Sequence, residues 1–364
     1  MSAFNPRRLT LARKRRGLNK SELADAVGVS RRAISGFESG DMPPSETTVA
    51  EIAAALGFPV EFFSGDNPVE VSPDTASFRA MSRMTATQRS AVFAAGSLAV
   101  GLNELLGKHL SLPEAAVPDL RDEDPETAAV ALRAAWKIGV RPIGNVIHLL
   151  EANGVRVFSL TGEGREVDAY SMWADNTPFV FLNTIKSGER GRFDAAHELG
   201  HLVLHRHGSP RGVEAENEAD RFASAFLMPA ANLSAMAPRV PTVGKLLELK
   251  KVWLVSVAAL ARRLYDLKLT TQWHYEQLCI EISKRGWRTS EPDGIPRETS
   301  QLLKKAFIAL REMGLTHHDI AAQLRITAED LDALVFQLVP VVVSGGRTEP
   351  ATPPADRKHL RLIS

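Results

Sequence analysis

The chain has 364 residues, 44 Lys and Arg against 43 Asp and Glu, which suggests two or three domains at ~100 to 200 residues each. Apolar residues at 44% and charged residues at 24% suit a globular chain that buries its own core, and exclude wholesale disorder or a collagen-like fibre. The single cysteine, Cys279, excludes an internal disulfide framework and a thiolate zinc knuckle and fits the cytoplasm; no run approaches the ~20 uninterrupted apolar residues of a membrane span, so neither secretion nor a membrane is expected.

Residues 1–63 read as short helices separated by turns. Pro6 stands at a helix start, and Leu23, Ala24 and Val27 have helical spacing. Gly28 then breaks that helix and Ser30 is placed to cap another carrying Ile34 and Phe37. Two helices joined by a tight glycine turn make a helix-turn-helix. Ser45 caps a further helix through Val49, Ile52, Ala53 and Leu56, closing a core with Phe58, Phe62 and Phe63. Nine basic residues against Glu22 and Asp25 in the first 32 positions point to a polyanion. The run LARKRRGLNKSELADAVGVSRRAISGFESG resembles the Xre-type, phage-repressor-like helix-turn-helix family. That resemblance implies a double-stranded DNA operator as partner, with Ser30, Arg31, Arg32 and Ser35 facing bases and Lys20 neutralising phosphate.

Residues 64–125 read as two polar linkers around a helix near Ala91 to Leu110, and 126–238 as a second domain. Helices are expected from Glu126 to Lys137 and through Ile143, Val146, Ile147 and Leu150; strands at Val155–Leu160, Tyr170–Ala174 and Phe179–Leu182 form a small mixed sheet. The last strand is a candidate exposed edge for an extended peptide, with an ordinary sheet strand as the alternative.

The run FDAAHELGHLVLH then places His197, Glu198 and His201 in H-E-x-x-H order. At about 100° per residue the two imidazoles leave one helix face about 40° apart and can share a metal ion. Glu198 stands where it can act as general base on a water activated by that metal. A third protein ligand leaves one position open; Glu216 is favoured over Glu218 and His207, and Asp220, one turn after Glu216, would orient a liganding histidine. His207 has third-ligand spacing, but Leu204 replaces the helix-breaking glycine that spacing needs. His205 and His207 read as surface histidines beyond the helix, although His205 and Tyr170 are also the two candidates to stabilise an oxyanion.

With FVFLN before it and ENEADRFASAFLMP after it, this region resembles the ImmA/IrrE family of zinc metallopeptidases over about residues 130–235. The resemblance implies Zn2+ on His197, His201 and Glu216, with Glu198 as catalytic base; Mn2+ also suits such ligands. Asp194 departs from the Thr that relatives commonly carry there, which bears on fine positioning.

Residues 239–343 read as helical, with Cys279 a structural thiol on a stripe of Leu278, Ile280 and Ile282. Residues 303–338 resemble a second helix-turn-helix whose reading positions, Thr327, Glu329 and Asp330, are acidic where DNA wants Arg or Lys. A docking or dimerisation module fits better, which makes a homodimer one expectation. Residues 344–364 read as a loose tail.

The expected fold is therefore mainly α with a small α+β zincin-like peptidase domain, an N-terminal helix-turn-helix and a C-terminal helical region. The expected function is a DNA-binding regulatory zinc endopeptidase that cleaves a repressor, antitoxin or other transcription regulator in a stress or mobile-element response. A DNA-binding regulator with a sensory, non-catalytic metal domain, and a component of a toxin–antitoxin module, are the alternatives.

Overall fold

A computed structural model describes residues 3–71, 84–160, 168–206, 212–339 and 361–362. Among them lie sixteen α-helices and a three-stranded mixed sheet. The N-terminal helices are α1 (Pro6–Arg15), α2 (Lys20–Val27), α3 (Arg31–Ser39) and α4 (Glu46–Leu56). Their ends follow local chemistry: Gly28 closes α2 at φ 73, and Ser30 and Ser45 accept the backbone N–H of Ala33 and Thr48. Leu9, Leu23, Ile34, Ile52 and Phe62 are fully buried between them.

Helix α5 (Ala86–His109) lies between this domain and the sheet. It has the length of a membrane span and an 18-residue window of mean hydropathy 1.3, but 67% of that window is buried inside the protein. The helix expected near Ala91 to Leu110 is thus present and begins about a turn earlier, where Thr85 caps it by accepting the N–H of Gln88.

Helices α6 (Pro125–Ala135) and α7 (Val146–Ala152) precede strands β2 (Arg156–Ser159), β3 (Ala169–Ala174) and β4 (Thr177–Leu182); β1 is the short Leu110–Ser111. Helix α7 starts after Ile143, because Asn145 caps it by accepting the N–H of His148. The sheet order is β2-β4-β3, with β2 parallel and β3 antiparallel to β4. Strand β4 is thus central and buried, and cannot serve as the peptide-aligning edge expected for Phe179–Leu182. The outer strand on that side is β3.

The two sheet faces do different work. Tyr170 stacks on Phe181 at 4.4 Å and gives its hydroxyl hydrogen to Val92 O of α5. Gly96 makes room for that hydroxyl, since a Cβ there would lie 2.9 Å from it. Ser171 therefore faces the opposite side, where helices α8 (Gly188–Leu204) and α9 (Val213–Leu227) cross. A Cβ on Gly200 would lie 3.0 Å from Phe222 Cδ1 and 3.2 Å from Ala219 Cα, so the glycine of HELGH sets how closely these helices approach.

Helices α10 (Ala230–Met236), α11 (Val243–Trp253), α12 (Val257–Asp266) and α13 (Gln272–Lys284) follow, then α14 (Gln301–Glu312), α15 (His317–Leu324) and α16 (Ala328–Val335). Carboxylates pin the last group to the sheet domain. Glu298 accepts the first N–H groups of α7, from Val146 at 2.8 Å and Ile147 at 3.0 Å. Glu151 at the other end of α7 accepts those of α14, from Gln301 at 3.0 Å and Leu302 at 2.9 Å. Helices α15 and α16 reproduce the α2–turn–α3 pattern, with Arg325 at φ 57 in place of Gly28 and Thr327 as the cap in place of Ser30. Of the C-terminal tail, only Arg361–Leu362 (β5) is described, and it pairs with β1.

Candidate metal centre and nucleic-acid interface

The crossing of α8 and α9 brings together the residues singled out in the sequence. His197 Nε2 and His201 Nε2 are 3.1 Å apart, and each lies near a Glu216 oxygen, at 3.3 and 3.4 Å. Zinc bonds of ~2.0 to 2.1 Å in a tetrahedron put neighbouring ligand atoms about 3.3 Å apart, so the three side chains already stand at the edges of such a site. Two imidazole nitrogens and a carboxylate, aimed at one point, are the donor set of a borderline-soft dication.

The electrostatics agree. Burial opposes a charge on His197, but hydrogen bonds to Asp220 and Glu216 and the nearby Glu198 push it up to about 10. Burial likewise opposes a charge on Glu216, yet hydrogen bonds from His197 and His201 hold it well below the ordinary carboxylate range. A pocket that draws protons onto one histidine and off its glutamate has the field a bound cation would satisfy.

Asp220, one turn after Glu216, has Oδ1 2.8 Å from His197 Nδ1. Glu198 is 3% exposed and accepts a 2.6 Å hydrogen bond from the Ser171 hydroxyl on β3. Ser171 was missed, because strand alternation does not say which face meets the helix. Neither oxyanion candidate survives. Tyr170 is on the far face of the sheet, and both ring nitrogens of His205 are engaged, Nδ1 with His201 and Nε2 with Glu218, each at 2.9 Å. His205 is thus an internal residue rather than a surface one, and burial lowers its pKa. His207 lies outside the described residues. Asp194 is buried and paired with Arg190 at 3.0 Å, and burial raises its pKa.

A cleft of about 1440 Å³ opens onto His197, Glu198, Glu216 and Asp220. Its near wall includes Ala169 at the start of β3; its far wall comes from Arg262, Tyr275, Cys279, Ile282 and Trp287. That wall went unread because its residues are spread over helices with no motif. Cys279 faces the cleft, and Ile280, expected on its apolar stripe, is 46% exposed.

Residues 150–265 match the family model described as the IrrE N-terminal-like domain, Peptidase_M78. That stretch is similar to an M78 peptidase domain. Residues 9–63 match the helix-turn-helix model HTH_3, so both resemblances hold, in the expected order. No match was found among the curated proteins. The M78 match is to a metal-dependent, peptidase-type hydrolase, and the helix-turn-helix is a DNA-binding type of domain.

In the helix-turn-helix, Arg31 and Arg32 are exposed at the N-terminal end of α3. Ser30 is engaged as the α3 cap, and Lys20 Nζ lies 3.3 Å from both Ser35 Oγ and Glu38 Oε2. The basic excess of this end is partly spent within the protein. Arg13 pairs with Glu38 at 2.7 Å, and Arg16 grips Asp330 of α16 with two 2.7 Å hydrogen bonds. Asp330, read as an acidic residue spoiling a second DNA reader, is instead 3% exposed in a contact between the C-terminal module and the DNA-binding domain.

Proposed function

We propose that this chain is a cytoplasmic, DNA-binding regulatory zinc endopeptidase that cleaves a repressor, antitoxin or other transcription regulator in a stress or mobile-element response. The convergence of His197, His201 and Glu216 beside Glu198, within a cleft large enough for a polypeptide segment, carries the peptidase half. Exposed Arg31 and Arg32 at the start of α3 support the operator-binding half. A zinc ion held by His197, His201 and Glu216 would polarise the scissile carbonyl and make the attacking water more acidic. Glu198 would serve there as general base and then acid, taking a proton from the attacking water and giving it to the amide nitrogen as the C–N bond breaks. Ser171, donating to Glu198 Oε2, holds that carboxylate in place beside the metal-ligating cluster. The contact of Arg16 with Asp330 supports a physical link between operator binding and the peptidase-bearing part of the chain.

The test compares protein N-termini in cells expressing the native chain or Glu198→Gln, with operator binding followed in both. A terminus that appears only with the native chain identifies the substrate. Identical termini under growth and stress, with both forms holding zinc and DNA, would refute the peptidase.

A further inference from the structure

The two histidines of the metal centre are braced differently. His197 Nδ1 meets the Asp220 carboxylate directly at 2.8 Å. His201 Nδ1 instead lies 2.9 Å from Nδ1 of His205, whose Nε2 lies 2.9 Å from Glu218 Oε2. The His205 side chain is 6% exposed, so bulk water does not stand in for either contact.

Counting protons fixes each role. The Glu218 carboxylate only accepts, so His205 Nε2 carries a hydrogen. A neutral His205 then has a bare Nδ1, which accepts in turn. His201 Nδ1 must therefore donate, and the His201 lone pair is left on Nε2, the atom beside Glu216 and His197. With neutral imidazoles no other arrangement satisfies both contacts.

We propose that His205 and Glu218 form a relay that holds His201 in the tautomer and orientation needed to ligate the metal through Nε2. Both are positioning residues, and the inference rests on the metal-site reading above. The helices explain the placement. His205 follows His201 by one turn at the end of α8, where its N–H bonds to His201 O at 2.9 Å, and Glu218 lies two residues after the ligand Glu216 on α9. The Gly200 crossing thus delivers the ligands and both braces together. A ligating imidazole whose second nitrogen is held by an acceptor is more basic and better oriented, and loss of such a partner typically weakens metal affinity about 10- to 100-fold.

The experiment is a zinc titration of the full chain against a chromophoric chelator, comparing native protein with His205→Leu, His205→Gln and Glu218→Ala. Long-range 15N–1H correlation of the histidine rings reads the His201 tautomer in the zinc-free chain. His205→Leu is expected to lose about 10- to 100-fold in zinc affinity and to leave His201 a mixture of tautomers. His205→Gln, whose amide can accept from His201 and donate to Glu218, should stay within a few-fold of native; Glu218→Ala should also weaken binding. Native affinity in His205→Leu, or equal losses in the Leu and Gln variants, would overturn the relay. If His205→Leu does not fold, Glu218→Ala decides, and native affinity there overturns it. A native chain that takes up no zinc would overturn the site reading itself, a different result from zinc binding indifferent to His205.

Discussion

Replacing Asp330 by Asn should loosen the C-terminal module from the DNA-binding domain. Asp330 accepts two 2.7 Å bonds from Arg16, lies 3.6 Å from Arg15 Nε, and takes a 3.0 Å bond from its own cap, Thr327. Asparagine keeps the size and the Thr327 contact and removes the charge. Breaking a buried ion pair from one side costs about 3 to 5 kcal/mol, because the partner charge stays desolvated. Here the Asp330 and Arg15 side chains are 3% and 11% exposed, but Arg16 is 28% exposed and can turn to water. The expected loss is therefore nearer 2 to 3 kcal/mol. Amide exchange in the full chain reads this locally, and at about 1.4 kcal/mol per decade the α16 amides should exchange roughly 30- to 150-fold faster. Arg16→Met in the same background should add little, since the two changes remove one interaction. Exchange within about threefold of native, or full additivity of the two variants, would refute the claim that this pair joins the domains.

Ser171→Ala removes the hydroxyl that holds Glu198 Oε2, and should lower cleavage about 10- to 100-fold while zinc content, read by elemental analysis, stays native. Arg31→Ala and Arg32→Ala should each cost about 1 to 3 kcal/mol of operator affinity and relax sequence preference, whereas Arg16→Ala should leave affinity unchanged because its guanidinium is spent on Asp330; fluorescence anisotropy on operator and scrambled fragments checks both. Burial pushes the Glu151 carboxyl from 4.5 up to about 7, against hydrogen bonds from Ser300, Leu302 and Gln301. An acid whose folded pKa lies above its unfolded one stabilises the fold at low pH, and this contribution is lost as pH rises through about 4.5 to 7, by up to about 3 kcal/mol. Glu151→Gln should flatten that part of the pH profile of α14 amide exchange.

What was legible in the sequence was local. Pro6, Gly28, Ser30 and Ser45 mark their helix ends through contacts within a few residues, and the structure places each as read. The i, i+4 pairs His197 with His201 and Glu216 with Asp220 fix which side chains share a helix face, so the candidate metal cluster could be assembled from spacing once the two helices were assumed to cross. What was lost depended on partners far along the chain. Strand β4 looks like any apolar strand, and only the parallel pairing of β2 with it makes it central. Tyr170 and Ser171 are adjacent and point to opposite faces, so choosing between them needs the position of α8. His205 looks like a helix-end histidine until α9 brings Glu218 to it. Arg16 and Asp330 are 314 positions apart, and each alone reads as a surface charge.

In the proposed site, His197, His201 and Glu216 hold one metal ion beside Glu198. The most direct measurement is the zinc stoichiometry and ligand set of the purified full chain, by elemental analysis and X-ray absorption, for native protein beside His197→Ala, Glu216→Ala and Glu198→Gln. The account predicts one zinc per native chain with two nitrogen ligands from histidine and a carboxylate oxygen, loss of that zinc in the first two variants, and its retention in Glu198→Gln. Zinc bound equally by all four, or by none, would contradict it.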